Sequence, residues 1–385
     1  MPSEKRLSSH GKPLGLGSKK KSRSNEDVTS EGSENEQQPS EQKGLYFELE
    51  ADADHIDELQ AMFDTAEAVL DEPEKSIPLL RGVVHECNAL FGNEEHEEEE
   101  AEQEGGEKEE RFSEAKKFPA RFYRIFGEAL FNLAIMENPS DSKSVERGDF
   151  LKASLDRIDA GLDIHEDEAS LLQSKTLIVA ALAANGDEFY ALKLSDSLAD
   201  YLETIKEDRS GKVEFLESVF ESRLEAVDAK SSKRLIEVLL SVFEDVLGDD
   251  VEEDTSVHLL KLNLINALAE AELELEEDTQ EINNFLSKTI EHGEEHLRLS
   301  KRDSTLDLKG GEFVASLGES YMLLSSVKAL QDDEAGELEL SQKAVEKFEL
   351  ASLQYNVELP LPIKEFIDDV KNPKTEEEDF TVIEN

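Results

Sequence analysis

The sequence predicts an all-α protein built from helical repeats. Two observations support this fold class: apolar residues recur three and four positions apart in segment after segment, and alternating strand-type runs are scarce. A third is that small residues recur at the spacing expected where two repeat helices cross. About thirteen such segments with short joints indicate antiparallel neighbours, as in a helical solenoid.

The chain carries a large negative charge, with 92 acidic and 41 basic residues and a formal charge of -51. This field repels phosphate backbones, so direct nucleic-acid binding is not expected, whereas basic partners are attracted. The single cysteine excludes an intramolecular disulfide and favours a reducing compartment. We expect neither a secretory signal nor a membrane contact, because the sequence has no apolar run of the required length.

Residues 1–45 are predicted to form a disordered basic tail. Large apolar side chains are nearly absent, so burial cannot offset the entropy of ordering. Two basic clusters separated by twelve residues have the layout of a bipartite nuclear-localisation signal, although a generic basic tail is the alternative. The signal residues are Lys5, Arg6, Lys19, Lys20, Lys21 and Arg23. We therefore expect a nuclear import receptor as a partner and a nuclear location, with the cytoplasm as a second location.

Residues 46–372 are predicted to form the helical-repeat domain. Its helices are expected at about 54–70, 76–91, 118–137, 146–163, 168–184, 187–207, 212–228, 231–247, 253–275, 279–298, 311–330, 337–355 and 361–371. Between the second and third, eleven of the seventeen residues from Glu94 to Glu110 are glutamate. Dense like charge repels itself, so residues 93–112 are predicted to be a disordered acidic insertion. Residues 373–385 are predicted to form an acidic C-terminal tail.

Two helix pairs show tetratricopeptide-like spacing, in which small residues let two backbones approach. Gly127 precedes Ala153 by 26 residues, and Gly318 precedes Ala344 by 26. The predicted helix-crossing residues are Gly127, Ala153, Ala160, Gly318, Tyr321, Ala344 and Ala351. Arg157 and His165 stand where the consensus has Phe and Pro, so the repeats are degenerate, and an irregular helical bundle is the alternative.

Two groups of residues resemble reactive sites. His292 and His296 flank a glutamate in the inverted zinc-peptidase pattern, but Gly293 and the surrounding charges favour a solvated helix face. Cys87 lies on an apolar stripe, which favours a small buried hydrophobic side chain. We therefore predict no catalytic residue, no metal site and no cofactor.

Three segments carry a family resemblance. Residues 11–20 (GKPLGLGSKK), residues 80–88 (LRGVVHECN) and residues 316–321 (SLGESY) resemble the fungal enhancer-of-translation-termination family. The resemblance implies a nuclear tetratricopeptide-like adaptor that binds a 2-oxoglutarate- and Fe(II)-dependent prolyl hydroxylase. It also implies that the adaptor helps bring the hydroxylase to the nucleus and, at low oxygen, restrains its promotion of transcription-factor degradation. A second branch of the family is linked to translation termination together with a related hydroxylase.

The leading hypothesis is thus a non-enzymatic adaptor with a solenoid that holds a hydroxylase. One rival is an acidic chaperone for histones or other basic proteins, because the acidic insertion could screen a basic client. Another is a zinc hydrolase at His292 and His296. The sequence does not indicate which helix face binds the partner.

Overall fold

The computed structural model describes residues 55–103, 118–136, 144–205, 208–222, 226–247, 254–276, 279–303 and 308–373. These residues form thirteen helices and no strand, which confirms the predicted all-α class. The helices are α1 (His55–Glu67), α2 (Pro73–Gln103), α3 (Ala120–Met136), α4 (Ser144–Leu162), α5 (Ala169–Ala184), α6 (Glu188–Thr204), α7 (Arg209–Glu221), α8 (Ala229–Leu247), α9 (Thr255–Glu274), α10 (Thr279–Asp303), α11 (Leu308–Leu330), α12 (Glu334–Tyr355) and α13 (Leu361–Lys371).

Helix α2 differs from the prediction at its C-terminal end. It continues past Phe91 to Gln103 and so enters the segment, 93–112, for which a disordered insertion is predicted. Extending a helix that already exists costs much less than nucleating a new one, and glutamate is a good helix former. Residues 104–117, which make up the rest of that segment and its link to α3, lie outside the described residues.

Aspartate side chains cap five of the helices in the described part of the chain. Asp187, Asp208, Asp228, Asp254 and Asp333 each accept a hydrogen bond from a backbone N–H two or three residues further along the chain. Such a bond satisfies one of the donors that a helix N-terminus leaves without a partner inside the helix. These caps explain why α6 and α12 follow their predecessors after only three residues and pack back against them.

The odd-numbered helices α1, α3, α5, α7, α9 and α11 form what we call the odd-helix layer, because each packs against the next odd-numbered helix. Contacts between α9 and α11 join residues at a nearly constant separation of 53 or 54: Ser256 with Lys309, Asn263 with Ser316, and Asn266 with Ser320. A constant separation means that the two helices run parallel. Stacked antiparallel hairpins with parallel neighbours are the arrangement of a helical solenoid.

Helix α9 connects two hydrophobic cores. Its residues Val257, Leu260, Leu264, Ala267 and Leu268 belong to the N-terminal core. Its residues Leu259, Leu262, Ile265 and Ala269 belong to the C-terminal core, which continues through α10 to α13. Because α9 is apolar on both sides, it has no solvated stripe of the usual width. None of the helices in the described part of the chain is long and apolar enough to cross a bilayer.

Candidate protein-binding surface

Polar side chains join the first three helices of the odd-helix layer. Arg121 of α3 lies 2.6 Å from Asp57 of α1, and Arg124 donates to Gln60 at 3.4 Å. Ser174 of α5 donates to Glu128 of α3 at 2.6 Å. This end of the layer therefore presents charges of both signs.

Two carboxyl groups at this end have raised pKa values. Burial raises the pKa of Glu128, while the hydrogen bond from Ser174 and the charge of Arg124 act in the opposite direction. Burial also raises the pKa of Glu67, and the nearby Glu128 and Asp64 add to that effect. At both positions burial disfavours the charged form of the carboxyl group.

Carboxylates of α7 and α11 act together on the pKa of Glu217. Glu214, Glu217 and Glu221 follow one another at helical spacing on α7, and Glu312 comes from α11. Burial raises the pKa of Glu217; Lys309 opposes that effect, while the other three carboxylates reinforce it. We call these four residues the α7–α11 carboxylate group. A basic segment would be attracted to it, and the attraction would weaken with salt.

A buried polar network joins α9 to α11 beside this group. Asn266 is 4% exposed, and its side-chain nitrogen donates to the Ser316 carbonyl at 2.9 Å. Its side-chain oxygen accepts from the Ser320 hydroxyl at 2.6 Å. The Ser316 hydroxyl donates to Asn263 at 2.7 Å. The network fixes the register of two parallel helices, because a shift by one residue would leave buried polar groups without partners.

The structure brings together the predicted crossing residues of the C-terminal repeat. A Cβ atom added at Gly318 would lie 2.8 Å from the ring of Phe348 on α12, so the two helices approach closely there. Ala344 and Ala351, on the same helix as Phe348, are fully buried. The Tyr321 hydroxyl donates to Glu294 of α10 at 2.9 Å, and burial is the main cause of its raised pKa.

At the crossing of α3 and α4, Gly127 contacts residues next to the predicted alanines and not the alanines themselves. A Cβ atom at Gly127 would lie 2.6 Å from Ile158, and the Ser154 hydroxyl donates to the Gly127 carbonyl at 2.7 Å. Ala153 and Ala160 are only partly buried against the core. Arg157 instead places its guanidinium 5.1 Å from the ring centre of Phe126. The large side chain that fills the crossing is thus one residue beyond the consensus position.

Glycines that the sequence analysis did not select also mark close approaches. A Cβ atom at Gly161 would lie 2.7 Å from Tyr123, and one at Gly293 would lie 2.9 Å from Leu317. Glycine inside a helix costs about 1 kcal/mol relative to alanine, so its presence in an amphipathic segment is a signal of packing. Gly293 is therefore a packing residue of α10, where the sequence indicates only a weakened helix.

The residues of the predicted nuclear-localisation signal, from Lys5 to Arg23, lie outside the described residues. The structure gives no account of them. The signal stays a prediction from the sequence.

The two histidines of the zinc-peptidase pattern do not converge. His292 is exposed, whereas His296 is 4% exposed, and its ring centre lies 3.9 Å from that of His258 on α9. The His296 Nε2 atom is 3.4 Å from the Thr255 hydroxyl and 3.3 Å from that of Ser300, while Nδ1 has no hydrogen-bond partner. Within the described ranges, no three His, Cys, Asp or Glu side chains could share a metal ion.

We predict that His296 makes stability depend on pH. Burial lowers its pKa from 6.5, while Asp254 acts in the opposite direction, so the unfolded chain binds its proton more readily. The contribution of neutral His296 is complete above pH 6.5 and is lost as the pH falls towards its lowered pKa. In urea unfolding, the stability advantage of the wild type over His296→Gln should shrink between pH 7.5 and 5, values chosen to bracket the ordinary histidine pKa of about 6.5. The exposed His292→Gln is the control, and a pH-independent difference for His296→Gln would contradict the prediction.

Cys87 is fully buried, and burial raises its pKa to about 12. The thiol therefore stays protonated and unreactive at neutral pH. His85, two residues earlier, points away from the core and is exposed. The two side chains do not form a nucleophile and base.

A family model described as "Nuclear pore complex subunit Nro1" matches residues 10–329. Among curated proteins, Enhancer of translation termination 1 of Debaryomyces hansenii is 32% identical over 171 residues, which cover 43% of this chain and 36% of that protein. Enhancer of translation termination 1 of Yarrowia lipolytica is 22% identical over 322 residues, which cover 74% of this chain and 79% of that protein. The matched part thus spans about a third of the first relative's length.

Solved structures of the S. pombe nuclear import adaptor Nro1 were also matched. One covers 81% of this chain and 98% of that protein, with 13% identity and a TM-score of 0.38. A second covers 85% and 99%, with 14% identity and a TM-score of 0.39.

Proposed function

Because this chain belongs to the Nro1 family, whose model is described as a nuclear pore complex subunit, we propose that it is a non-catalytic adaptor that binds another protein in the nucleus. The observation that carries the proposal is the odd-helix layer, in which six helices pack side by side. A solenoid of this kind presents an extended surface, and such surfaces bind peptides or domains. Membership of this family supports a nuclear location for the chain.

The partner is a 2-oxoglutarate- and Fe(II)-dependent prolyl hydroxylase. This part of the proposal is supported by the resemblance of residues 11–20, 80–88 and 316–321 to the enhancer-of-translation-termination family. The adaptor brings the hydroxylase to the nucleus and restrains it when oxygen is low, which stabilises a transcription factor. The name shared by the curated relatives supports a further link with translation termination.

Two separate parts of the chain bind the import receptor and the hydroxylase. The basic clusters at Lys5–Arg6 and Lys19–Arg23 bind an import receptor. The α7–α11 carboxylate group attracts a basic segment of the hydroxylase, because Glu217 is partly buried among like charges. Transport and partner binding should therefore be separable by mutation.

The experiment compares two variants of the full chain in cells. The first changes Lys19, Lys20, Lys21 and Arg23 to alanine; it should move both the chain and the hydroxylase to the cytoplasm while the two proteins still co-precipitate. The second changes Glu214, Glu217 and Glu221 to glutamine; it should leave the chain in the nucleus but reduce the co-precipitated hydroxylase about tenfold. Microscopy and quantitative mass spectrometry provide the two measurements.

The matched control removes the same charge from the outer helix α6. Asp196→Asn, Asp200→Asn and Glu203→Gln alter three exposed residues and should change neither measurement. Absence of any 2-oxoglutarate oxygenase from the wild-type precipitate would refute the partner. If the control variant loses as much co-precipitated hydroxylase, the overall charge of the chain attracts the hydroxylase and the α7–α11 carboxylate group does not.

A second candidate function is a chaperone for histones or other basic proteins. The same carboxylate group favours it, because an acidic surface can screen a basic client. It predicts strong binding to purified histones that falls steeply with salt and is lost in the Glu214, Glu217 and Glu221 variant. The two candidates differ in whether the cellular precipitate contains mainly an oxygenase or mainly basic proteins.

A further inference from the structure

The turn between α5 and α6 contains Asn185 and Gly186, which are the only Asn-Gly pair in the sequence. Asn185 is the C-cap of α5, with φ −74° and ψ 9°, and Gly186 follows with φ +87°. Glycine adopts this left-handed conformation at little cost because it has no Cβ atom. For the same reason, the backbone nitrogen of Gly186 is not shielded from the Asn185 side chain.

An asparagine side chain reacts with the backbone nitrogen of the next residue when the two groups meet. The Gly186 nitrogen gives up its proton and bonds to the Cγ atom of Asn185. The bond between Cγ and Nδ2 breaks, and Nδ2 takes up a proton and leaves as ammonia. Water then opens the cyclic imide at one of its carbonyl carbons, which yields aspartate or isoaspartate. The reaction therefore needs no reactant other than water.

Backbone hydrogen bonds hold this turn closed. Consecutive N–H groups of the turn donate to carbonyls at the end of α5: Asn185 to Ala181 at 2.9 Å, Gly186 to Ala183 at 3.0 Å, and Asp187 to Leu182 at 3.3 Å. The nitrogen that would attack is thus occupied as a donor and is released only when the turn opens. Helix ends open locally with a smaller free energy than the whole domain requires to unfold.

Residues of α4 and of the segment before α8 pack against the same turn. The Nδ2 atom of Asn185 lies 3.4 Å from the position that a Cβ atom would take at Gly148. The Val227 N–H donates to the Ala184 carbonyl at 3.0 Å. The Oδ1 atom of Asn185 is buried and accepts no hydrogen bond in the described part of the chain. A charged carboxylate oxygen in that position would be costly, so conversion would weaken the closed turn.

We propose that Asn185 is a deamidation site that the closed α5–α6 turn protects, and that it converts to aspartate or isoaspartate when the turn opens. Conversion replaces a neutral amide by a carboxylate and releases ammonia, so the turn does not recover its original side chain. The inference does not depend on the proposed function.

The test measures conversion of Asn185 in the full chain by peptide mass spectrometry, without urea and in enough urea to unfold the chain. The folded chain should convert at least about tenfold more slowly, because only molecules with an open turn react. Asn284 is the internal reference: it is exposed, but Phe285 follows it, so it should convert much more slowly than Asn185 in urea. Equal rates for Asn185 with and without urea, or no conversion of Asn185 in urea, would overturn the proposal.

Two cap variants locate the opening, with each rate divided by the rate of the same variant in urea. Asp187→Ala removes the side chain that accepts from the Phe189 N–H at 3.2 Å at the start of α6. It should raise this ratio about fivefold, which is the usual effect of losing one cap. Asp333→Ala removes the same kind of cap from α12, where Asp333 accepts from the Gly336 N–H at 3.0 Å, and should leave the ratio unchanged. Equal acceleration in both variants would mean that conversion follows global unfolding, and it would also overturn the proposal.

Discussion

Replacing Gly318 with valine is expected to lower the free energy of unfolding by about 3 kcal/mol. The Cβ atom alone would lie 2.8 Å from the ring of Phe348, which is fully buried and cannot turn into solvent. The added methyl groups must therefore push α11 and α12 apart across the C-terminal core. Urea unfolding followed by circular dichroism measures the change.

Two further variants make the expectation specific. Gly148→Ala is the control, since a Cβ atom there would meet Asn185 at an ordinary 3.4 Å. It should leave stability unchanged or raise it by up to about 1 kcal/mol, because alanine favours a helix. Combining Gly318→Val with Phe348→Leu should recover part of the loss. Additive losses in the double variant would show that the ring of Phe348 is not the cause.

Replacing Asn266 with alanine should lower the free energy of unfolding by about 2 to 3 kcal/mol. Its side chain holds the Ser316 carbonyl at 2.9 Å and the Ser320 hydroxyl at 2.6 Å, and the variant removes both bonds from a buried site. The helix that carries it connects the two hydrophobic cores. We therefore expect the loss to appear in the single unfolding transition of the whole domain.

A double-mutant cycle with Ser320→Ala tests this mechanism. If the hydrogen bond between the two side chains matters, the double variant should lose less than the sum of the single losses, by about 1 kcal/mol. Asn284→Ala is the control, because Asn284 is exposed and accepts a bond only from the exposed Gln280 among the contacts described. It should change stability by less than about 0.5 kcal/mol. A loss in Asn284→Ala as large as that in Asn266→Ala would count against the buried network.

Local patterns in the sequence predicted most of the helices because their causes are local. Apolar spacing located each helix, and the expected start of one helix at residue 187 agrees with the cap that Asp187 provides for α6. The end of α2 was not predicted, because charge density suggested disorder where helix propagation continues. Gly127, which the sequence places at a helix crossing, lies next to Ile158 and not next to a residue at the consensus position.

The binding surfaces were harder to predict than the helices. Glu214 and Glu312 are nearly one hundred residues apart in the sequence. No local pattern therefore indicates that both of them raise the pKa of Glu217. The pairing of His296 with His258 was missed for the same reason, since the sequence offered His292 as the nearer partner.

The sequence by itself determined that this protein is a chain of amphipathic helices with a strong negative charge, a basic N-terminal segment and small residues at two helix crossings. Each of these properties depends on residues within a few turns of one another. Only the tertiary structure decided that the odd-numbered helices pack in one layer, that α9 and α11 run parallel, that α9 connects two cores, and which charges meet on the surface. These outcomes depend on packing between residues that are distant in sequence, and the cost of burying unmatched volume or unpaired polar groups selects among the possible pairings.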